Sequence, residues 1–219
     1  MSEVIVDTLK HSGNSGTANV TLASSGAVTT ADDLTVGDNL VATKQNGCQR
    51  IVLEQFFCPC DGSVIALQDG NHTITDVTAQ QDGPADWTDC NGSSITYTPP
   101  SGTKQVIYEY RVCWGYSGAS CIAHFRLMVD SDEVTSGRHQ FMNYQYPTYY
   151  ESVKWGFNIG DTADTTVGRL ASWTSDKTIK VQWRRYSVGQ TSRLHNLQHW
   201  DQAGANLIVK PQLAITAIG

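Results

Sequence analysis

Two histidines with helical spacing are the first residues of this chain that could do chemistry. His195 and His199 lie four positions apart, and on a helix that spacing would bring two imidazoles together around a metal ion. Trp200 and the apolar alternation around it instead favour a strand, where positions four apart are separated by about 13 Å. We therefore predict no metal site at these histidines. His11, His72, His124 and His139 are isolated in the sequence.

Acidic residues cluster in two places. The clusters are Asp82, Asp86 and Asp89, and Asp130, Asp132 and Glu133. Acidic side chains at alternate positions of a turn can coordinate Ca²⁺ through their carboxylate oxygens. Aspartates also cap tight backbone bends without any metal. Turn chemistry explains both clusters equally well, so we assign no metal and no cofactor.

Signatures of catalysis are weak. The segment Gly115-Tyr116-Ser117-Gly118 resembles part of a nucleophile elbow, but it lacks the G-x-S-x-G pattern and a following helix. We interpret it as a hairpin loop between two strands. The acidic residues are not spaced like the paired acids of glycoside hydrolases. We assign no catalytic residue and expect that the protein is not an enzyme.

The six cysteines do not form a recognisable motif. The segment Cys58-Pro59-Cys60 lacks the redox C-x-x-C spacing, and Cys48 and Cys90 are too loosely placed for a zinc signature. Cys113 and Cys121 flank the expected hairpin loop, but the first follows the polar face of its strand and the second the apolar face. We expect these two not to bond, and free buried thiols or late-forming disulfides remain the alternatives.

Tyrosines crowd one loop between expected strands. They are Tyr144, Tyr146, Tyr149 and Tyr150. Such amphipathic rings stack on sugars and also pack at subunit contacts. Both roles, glycan contact and subunit contact, remain open for these tyrosines.

The charge of the chain argues against two classes of partner. Charged residues are 16% of the 219 residues and the formal net charge is -6, whereas about 25% is typical of soluble proteins. No basic footprint for nucleic acid or anionic lipid is present. No run approaches the length of a membrane span, and the N-terminus lacks the features of a signal peptide. We expect a protein made in the cytosol, without membrane insertion and without nucleic acid as partner.

Alternating apolar residues predict an all-β fold. In Val106–Trp114, Cys121–Val129 and Lys177–Trp183, every second residue is apolar, which indicates strands with one buried face. The first two are expected to form an antiparallel hairpin. Further strands are expected at Cys48–Cys58, Gly62–Gln68, Thr73–Thr78, Ser94–Thr98, Val134–Met142, Tyr149–Ile159, Leu194–Trp200 and Leu207–Ile218, with a loop over Gln81–Gly92. This set predicts an antiparallel two-sheet sandwich of the jelly-roll type.

The first 55 residues contain no Phe, Tyr or Trp, so they have little to bury on their own. Short β-prone runs recur there at a spacing of 14, and their apolar residues are Val6, Val20, Leu22, Leu34 and Val36. We predict that residues 1–47 form an attachment and oligomerisation segment, in which those five residues make assembly contacts. The alternative is a flexible arm that orders when it docks. Residues 48–219 form the sandwich.

Several segments resemble recurring domains in virion proteins of tailed bacteriophages, especially marine cyanophages. They are Ile95–Thr103, Gln105–Tyr110, His124–Leu127, Asp130–Val134, Lys154–Gly160, Ser172–Ser175 and Leu213–Gly219. The start, Val6–Lys10 with Leu34–Gly37, resembles the attachment and shaft segments of phage fibres.

The resemblance implies a homotrimeric appendage of the virion, with a jelly-roll head similar to the tumour-necrosis-factor-like sandwich. Its partners would be its own copies, other virion proteins in the tail or capsid, and a glycan on the host surface. A tail fibre, a head fibre and a capsid decoration or cement protein are all compatible with the resemblance. A soluble carbohydrate-binding module is a further alternative.

Overall fold

The fold is known from a computed structural model, which describes residues 51–116, 120–144, 148–198 and 206–219, and the backbone of five short strands before residue 50. The chain divides into two units, residues 1–49 and 50–219. Throughout the described ranges the regular structure consists of strands and one 3-10 turn, Thr165–Val167, without an α-helix. The prediction of an all-β protein is therefore confirmed. No helix in these ranges is long and apolar enough to cross a membrane.

The first unit contains short antiparallel strands. They are β1 (Thr8–Leu9), β2 (Val20–Leu22), β3 (Val28–Thr30), β4 (Leu34–Val36) and β5 (Asn39–Ala42). Strands β1, β2 and β3 form one sheet in that order, and β4 pairs with β5. Strand β3 falls between the second and third of the runs that recur at a spacing of 14, so that spacing spans more than one strand and one turn there. Val6 and the side chains of Val20, Leu22, Leu34 and Val36 lie outside the described part of the chain.

The second unit holds the longer strands. They are β6 (Val52–Pro59), β7 (Val64–Leu67), β8 (Gly70–Thr73), β9 (Gln81–Asp82), β10 (Thr88–Asp89), β11 (Ile95–Tyr97), β12 (Gln105–Tyr116), β13 (Ser120–Val129), β14 (Asp132–Tyr144), β15 (Tyr149–Ile159), β16 (Arg169–Leu170), β17 (Lys177–Arg185), β18 (Ser192–Leu194), β19 (Asn196–Gln198), β20 (Asn206–Ile208) and β21 (Gln212–Ile218).

These strands build two main sheets. In sheet 1 the order is β6-β21-β12-β15-β16, with β18 beside the far end of β12 and β9 beside β18. In sheet 2 the order is β17-β13-β14, and β10 and β11 both lie along the outer edge of β17. All pairs are antiparallel except β15 with β16. The eight principal strands form nested pairs: β13 with β14, β12 with β15, β11 with β17, and β6 with β21.

The two sheets share one core, as in an antiparallel β-sandwich. The alternation predicted for three strands is confirmed, because the inward side chains are almost completely buried: Val106, Tyr108, Tyr110, Val112 and Trp114 on β12, Ala123, Phe125, Leu127 and Val129 on β13, and Ile179, Val181 and Trp183 on β17. Phe125 stacks on Trp183 with ring centroids 5.9 Å apart. The buried hydroxyls of Tyr108 and Tyr110 donate to backbone carbonyl oxygens of Ser93 and Asn91 at 2.6 and 2.8 Å. Burial of these aromatic rings is the main source of stability in such a core.

The predicted hairpin between β12 and β13 is wrong. Strand β12 lies in sheet 1 between β15 and β21, while β13 lies in sheet 2 between β14 and β17. Alternation indicates that one face of a strand is buried, but it does not say whether the next strand continues the same sheet or crosses to the facing one. Cys113 and Cys121 are therefore on opposite sheets, and both are free thiols. Residues 117–119 between the strands lie outside the described ranges.

Other strand boundaries also differ from the prediction. The expected strand Leu207–Ile218 is two strands, β20 and β21, because Pro211 between them has no N–H for the ladder. The expected strand Leu194–Trp200 is interrupted at His195, which has a φ of 65°. The expected loop Gln81–Gly92 contains β9 and β10. The expected strand Thr73–Thr78 is replaced by β8, which ends at Thr73 and forms a hairpin with β7.

Candidate functional site: an arginine-rich cleft around Trp87

The predicted tyrosine site is not one surface. Tyr149 and Tyr150 are consecutive residues of β15, so their side chains lie on opposite faces of sheet 1. Tyr149 is 43% exposed and stacks on Trp114, with ring centroids 6.4 Å apart. Tyr150 is 47% exposed, and the guanidinium of Arg111 lies 5.0 Å from its ring centroid. The Tyr144 side chain and all of Tyr146 lie outside the described residues.

A different surface combines an aromatic ring with positive charge. An open cleft of about 390 Å³ lies on the outer face of sheet 2, and we call it the Trp87 cleft. Its lining residues are Trp87, His124, Phe125, Arg126, Glu133, Arg138, His139, Gln140 and Arg184. Its volume lies within the range of roughly 300 to 1,000 Å³ that is usual for ligand sites.

The strand register explains why these residues meet. His124 and Arg126 are the outward residues of β13, which alternate with buried Ala123, Phe125 and Leu127. Arg184 lies opposite His124 on β17. Strand β10 pairs with the outer edge of β17, so Trp87, which immediately precedes it, lies beside Arg184.

Trp87 holds two guanidinium groups against its ring. The Cζ atoms of Arg126 and Arg184 lie 4.5 and 4.7 Å from the ring centroid, which is cation–π geometry. Gln182 fixes Arg126 further, because its Oε1 accepts from Nε at 2.9 Å and from Nη2 at 2.6 Å. These contacts place positive charge at the cleft before any ligand arrives.

Glu133 neutralises only part of that charge. Its carboxylate accepts from Arg138 Nε at 2.5 Å and from Arg126 Nη1 at 3.4 Å. The hydrogen bond from Arg138 is the main reason why the pKa of Glu133 is lowered from its ordinary value, so this carboxylate is ionised at neutral pH. Three guanidiniums thus face one carboxylate in the cleft lining. Arg184 forms no ion pair within the described part of the chain.

The acidic clusters serve ion pairs and turns. Asp130 occupies the two-residue turn between β13 and β14 with a φ of 54°, and its carboxylate accepts from Lys177 Nζ at 3.1 Å and from Thr178 N at 2.9 Å. Asp89 pairs with Lys180 at 2.9 Å, and Asp82 with Arg193 at 3.3 Å. Among the residues that the structure describes, no three His, Cys, Asp or Glu side chains form a group that could hold a metal ion.

His195 is a feature that sequence reasoning missed. It joins β18 to β19 and is fully buried, and neither ring nitrogen has a hydrogen-bond partner among the residues that the structure describes. Its backbone is well anchored, because its N–H donates to Cys113 O at 2.8 Å and its carbonyl accepts from Val209 N at 2.9 Å. Burial lowers the pKa of the imidazole from 6.5 to about 4. The sequence offers no signal for this burial, and His199 lies outside the described ranges.

The described cysteines are buried and free. Burial raises the pKa of the Cys60, Cys113 and Cys121 thiols to about 12, and it also raises the pKa of the Cys58 and Cys90 thiols. A thiol reacts as the thiolate, so these sulfur atoms are poor nucleophiles at neutral pH. Cys48 lies outside the described residues.

The outer face of sheet 1 differs in character from the cleft side. Neighbouring strands place its side chains in two rows, Gln55, Thr216, Ile107 and Gly156 in one and Phe57, Ala214, Glu109 and Lys154 in the other. We call these eight residues the sheet 1 outer face. Its two charges pair with each other at 3.1 Å, and Phe57 is 59% exposed. The two charges among these eight residues therefore compensate each other, and the surface is partly apolar. Arg111 lies in the next row of the same face, over the ring of Tyr150.

No protein-family model matches the chain, and no curated protein matches it. Functional proposals therefore depend on the two surfaces just described and on the nested strand pairs. The Trp87 cleft offers hydrogen-bond donors and positive charge, which is the chemistry of binding an anion. The sheet 1 outer face offers the chemistry of contact between proteins.

Proposed function

We propose that this protein is a structural component of a tailed-phage virion, a homotrimeric appendage that residues 1–47 attach to the particle. One support is the nested pairing of the eight principal strands. Pairs of first with last, second with seventh, third with sixth and fourth with fifth result when one long hairpin is wound into two sheets, as in a jelly roll. That fold is the one implied by the resemblance to phage appendage proteins.

The observation that carries the proposal is the contrast between the two outer faces. The sheet 1 outer face presents Ile107, Ala214 and exposed Phe57 with a single internal ion pair. Depletion of charge at the centre of a surface is typical of contacts between proteins, whereas sheet 2 presents arginines, lysine and carboxylates to solvent. Copies of the chain related by a threefold axis would bury their sheet 1 outer faces and leave sheet 2 outside.

The mass of the purified protein in solution tests this contact. We expect about three times the chain mass of 23.9 kDa by light scattering. Thr216→Arg places a bulky charge in the middle of the sheet 1 outer face and is expected to reduce the mass to that of a single chain. A wild-type protein with the mass of one chain would contradict the trimer.

Thr96→Arg is a matched control. Both threonines lie on outer faces, and each hydroxyl makes one cross-strand hydrogen bond of 2.9 Å, Thr216 with Gln55 and Thr96 with Thr178. Each substitution therefore removes one cross-strand hydrogen bond of the same length, but Thr96 lies on sheet 2. The control variant should keep the mass of the wild type. If both variants dissociate, the contact does not reside on the sheet 1 outer face.

The position on the particle requires a second experiment. A chain that lacks residues 1–47 is mixed with particles devoid of the protein and compared with the full chain. Failure of the shortened chain to join the particles supports attachment through the N-terminal segment. If the shortened chain joins the particles as well as the full chain does, the result would instead support a capsid decoration protein whose sandwich binds the particle.

A further inference from the structure

We propose that the Trp87 cleft binds a carboxylate-bearing sugar, such as the uronate units of an acidic polysaccharide. The inference goes beyond a structural role in the virion, and it depends only on side chains within one copy of the chain. The nine lining residues combine an indole, a phenyl ring, three guanidiniums, two imidazoles, an amide and one carboxylate. Saccharide sites typically combine an amphipathic ring with convergent hydrogen-bonding groups in this way.

The positive charge of the arginines in the Trp87 cleft favours an anionic ligand. Arg126 and Arg184 share the ring of Trp87, so two positive charges lie close together, and Glu133 reaches only Arg126 and Arg138. An incoming carboxylate would pair with Arg184 and reduce the repulsion between the two guanidiniums. A guanidinium offers two parallel N–H donors to a carboxylate, and such bonds are about twice as strong as neutral ones.

The shape and surroundings of the cleft favour a sugar unit over a nucleic acid. A polyanion such as single-stranded DNA needs a continuous basic track along its backbone. Here the basic residues form one local group on a chain of net charge -6, and Asp89 with its partner Lys180 lies next to that group on sheet 2. In this compact cleft Arg184 has no ion pair with any described residue, which matches a ligand with one negative charge on each ring.

The cleft also lies on the side of the sandwich that a trimer would leave open. Arg126 and Arg184 project from the outer face of sheet 2, whereas the proposed subunit contact uses the outer face of sheet 1. The two surfaces can therefore be tested separately. A monomeric Thr216→Arg variant is expected to retain the intrinsic affinity of the cleft for a short saccharide.

Calorimetric titration of the full chain with defined hexamers tests the proposal. The probes are a galacturonate hexamer, an uncharged glucose hexamer and a single-stranded hexanucleotide, each in low and high NaCl. We expect the uronate to bind, more weakly in high salt because salt screens charge pairs, and the neutral hexamer to bind at least about tenfold more weakly.

Arg184→Gln is the decisive variant, and Arg111→Gln is its matched control. Both arginines lie over an aromatic ring on an outer strand face, Arg184 over Trp87 at 4.7 Å and Arg111 over Tyr150 at 5.0 Å. Arg184→Gln should weaken uronate binding at least about tenfold, the loss expected for a charge-assisted hydrogen bond, while Arg111→Gln should leave it unchanged.

Four results would overturn the proposal. They are no measurable uronate binding, equal binding of the neutral hexamer, equal losses in the two arginine variants, and a hexanucleotide that binds as tightly as the uronate. A native circular dichroism spectrum for Arg184→Gln excludes unfolding as the cause of a loss. None of these results bears on the mass of the assembly, so this proposal can fail while the trimer stands.

Discussion

Buried His195 should make the fold sensitive to mild acid. The imidazole is fully buried and has no hydrogen-bond partner within the described ranges, and burial lowers its pKa from 6.5 to about 4. Between these two values the unfolded chain binds a proton at this residue and the folded chain does not. The stability contributed by neutral His195 is therefore complete above pH 6.5 and is lost progressively as the pH falls towards 4.

The size of the effect follows from the width of that window. Each pH unit within it changes the free energy of unfolding by about 1.4 kcal/mol, so acidification to pH 5 should remove about 2 kcal/mol. Carboxylates with lowered pKa, such as those of Glu133 and Asp164, remain ionised at pH 5 and contribute little. Burial raises the pKa of Glu151, so the contribution of this residue to the pH dependence has the opposite sign.

Urea unfolding at pH 7.5 and pH 5 measures the loss. His195→Asn is the useful variant, because asparagine tolerates the positive φ of 65° and does not titrate. The variant loses stability at both pH values through poorer packing, but it should lose about 2 kcal/mol less than the wild type between them. Equal pH dependence in wild type and His195→Asn would refute the argument.

Two further predictions concern packing and the thiols. Gly168→Ala adds a Cβ at 2.4 Å from Trp155 Nε1 at a φ of 72°, whereas Gly160→Ala meets nothing within 4 Å at a φ of 92°. Both variants have the same backbone strain, so Gly168→Ala should lower the free energy of unfolding in urea by about 1 to 3 kcal/mol more than Gly160→Ala does. Equal losses in the two variants would mean that the Trp155 side chain moves aside without cost. Cys60, Cys113 and Cys121 should alkylate more than about a hundredfold more slowly in the native protein at pH 8 than in urea, because so little thiolate is present. Peptide mapping by mass spectrometry checks this, and rapid native labelling of any of the three would contradict its burial.

The sequence predicted which face of each long strand is buried, but it did not predict how the strands combine. On β12, for example, the alternation of apolar and polar residues predicts that Tyr108 faces the core and that Glu109 faces outward. The partner of β12, by contrast, is decided by long-range pairing with β15 and β21, which follow some 40 and 100 residues later. A local pattern contains no information about those partners. For this reason the predicted hairpin with β13 was wrong although both strands were placed correctly.

The Trp87 cleft was missed for a related reason. Trp87 lies in a stretch rich in Pro, Gly and Asp, which we interpreted only as a loop. Arg126 lies within the predicted strand Cys121–Val129, whereas Arg184 directly follows the predicted strand Lys177–Trp183, almost 60 positions further along the chain. Only the pairing of β10 and β13 with β17 brings the three side chains together. Cys113 shows the opposite error, because alternation places it on a polar face, yet it is 1% exposed beneath the segment that follows His195.

The two proposed surfaces complement each other energetically. A single open cleft offers a few charge-assisted hydrogen bonds in contact with water, so its affinity for one sugar unit should be weak, on the order of millimolar. Three such clefts on the proposed trimer would face a polysaccharide that repeats its carboxylate many times. Once one cleft is occupied, the local concentration of ligand at the others rises, and avidity can exceed the single-site affinity by roughly a hundredfold or more without any new contact. Trimer formation through sheet 1 would thus allow three weakly binding clefts on sheet 2 to retain the protein on a polysaccharide surface. A Thr216→Arg variant should accordingly bind the hexamer normally but fail to stay on an immobilised polyuronate, and equal retention of both forms would show that assembly adds nothing to recognition.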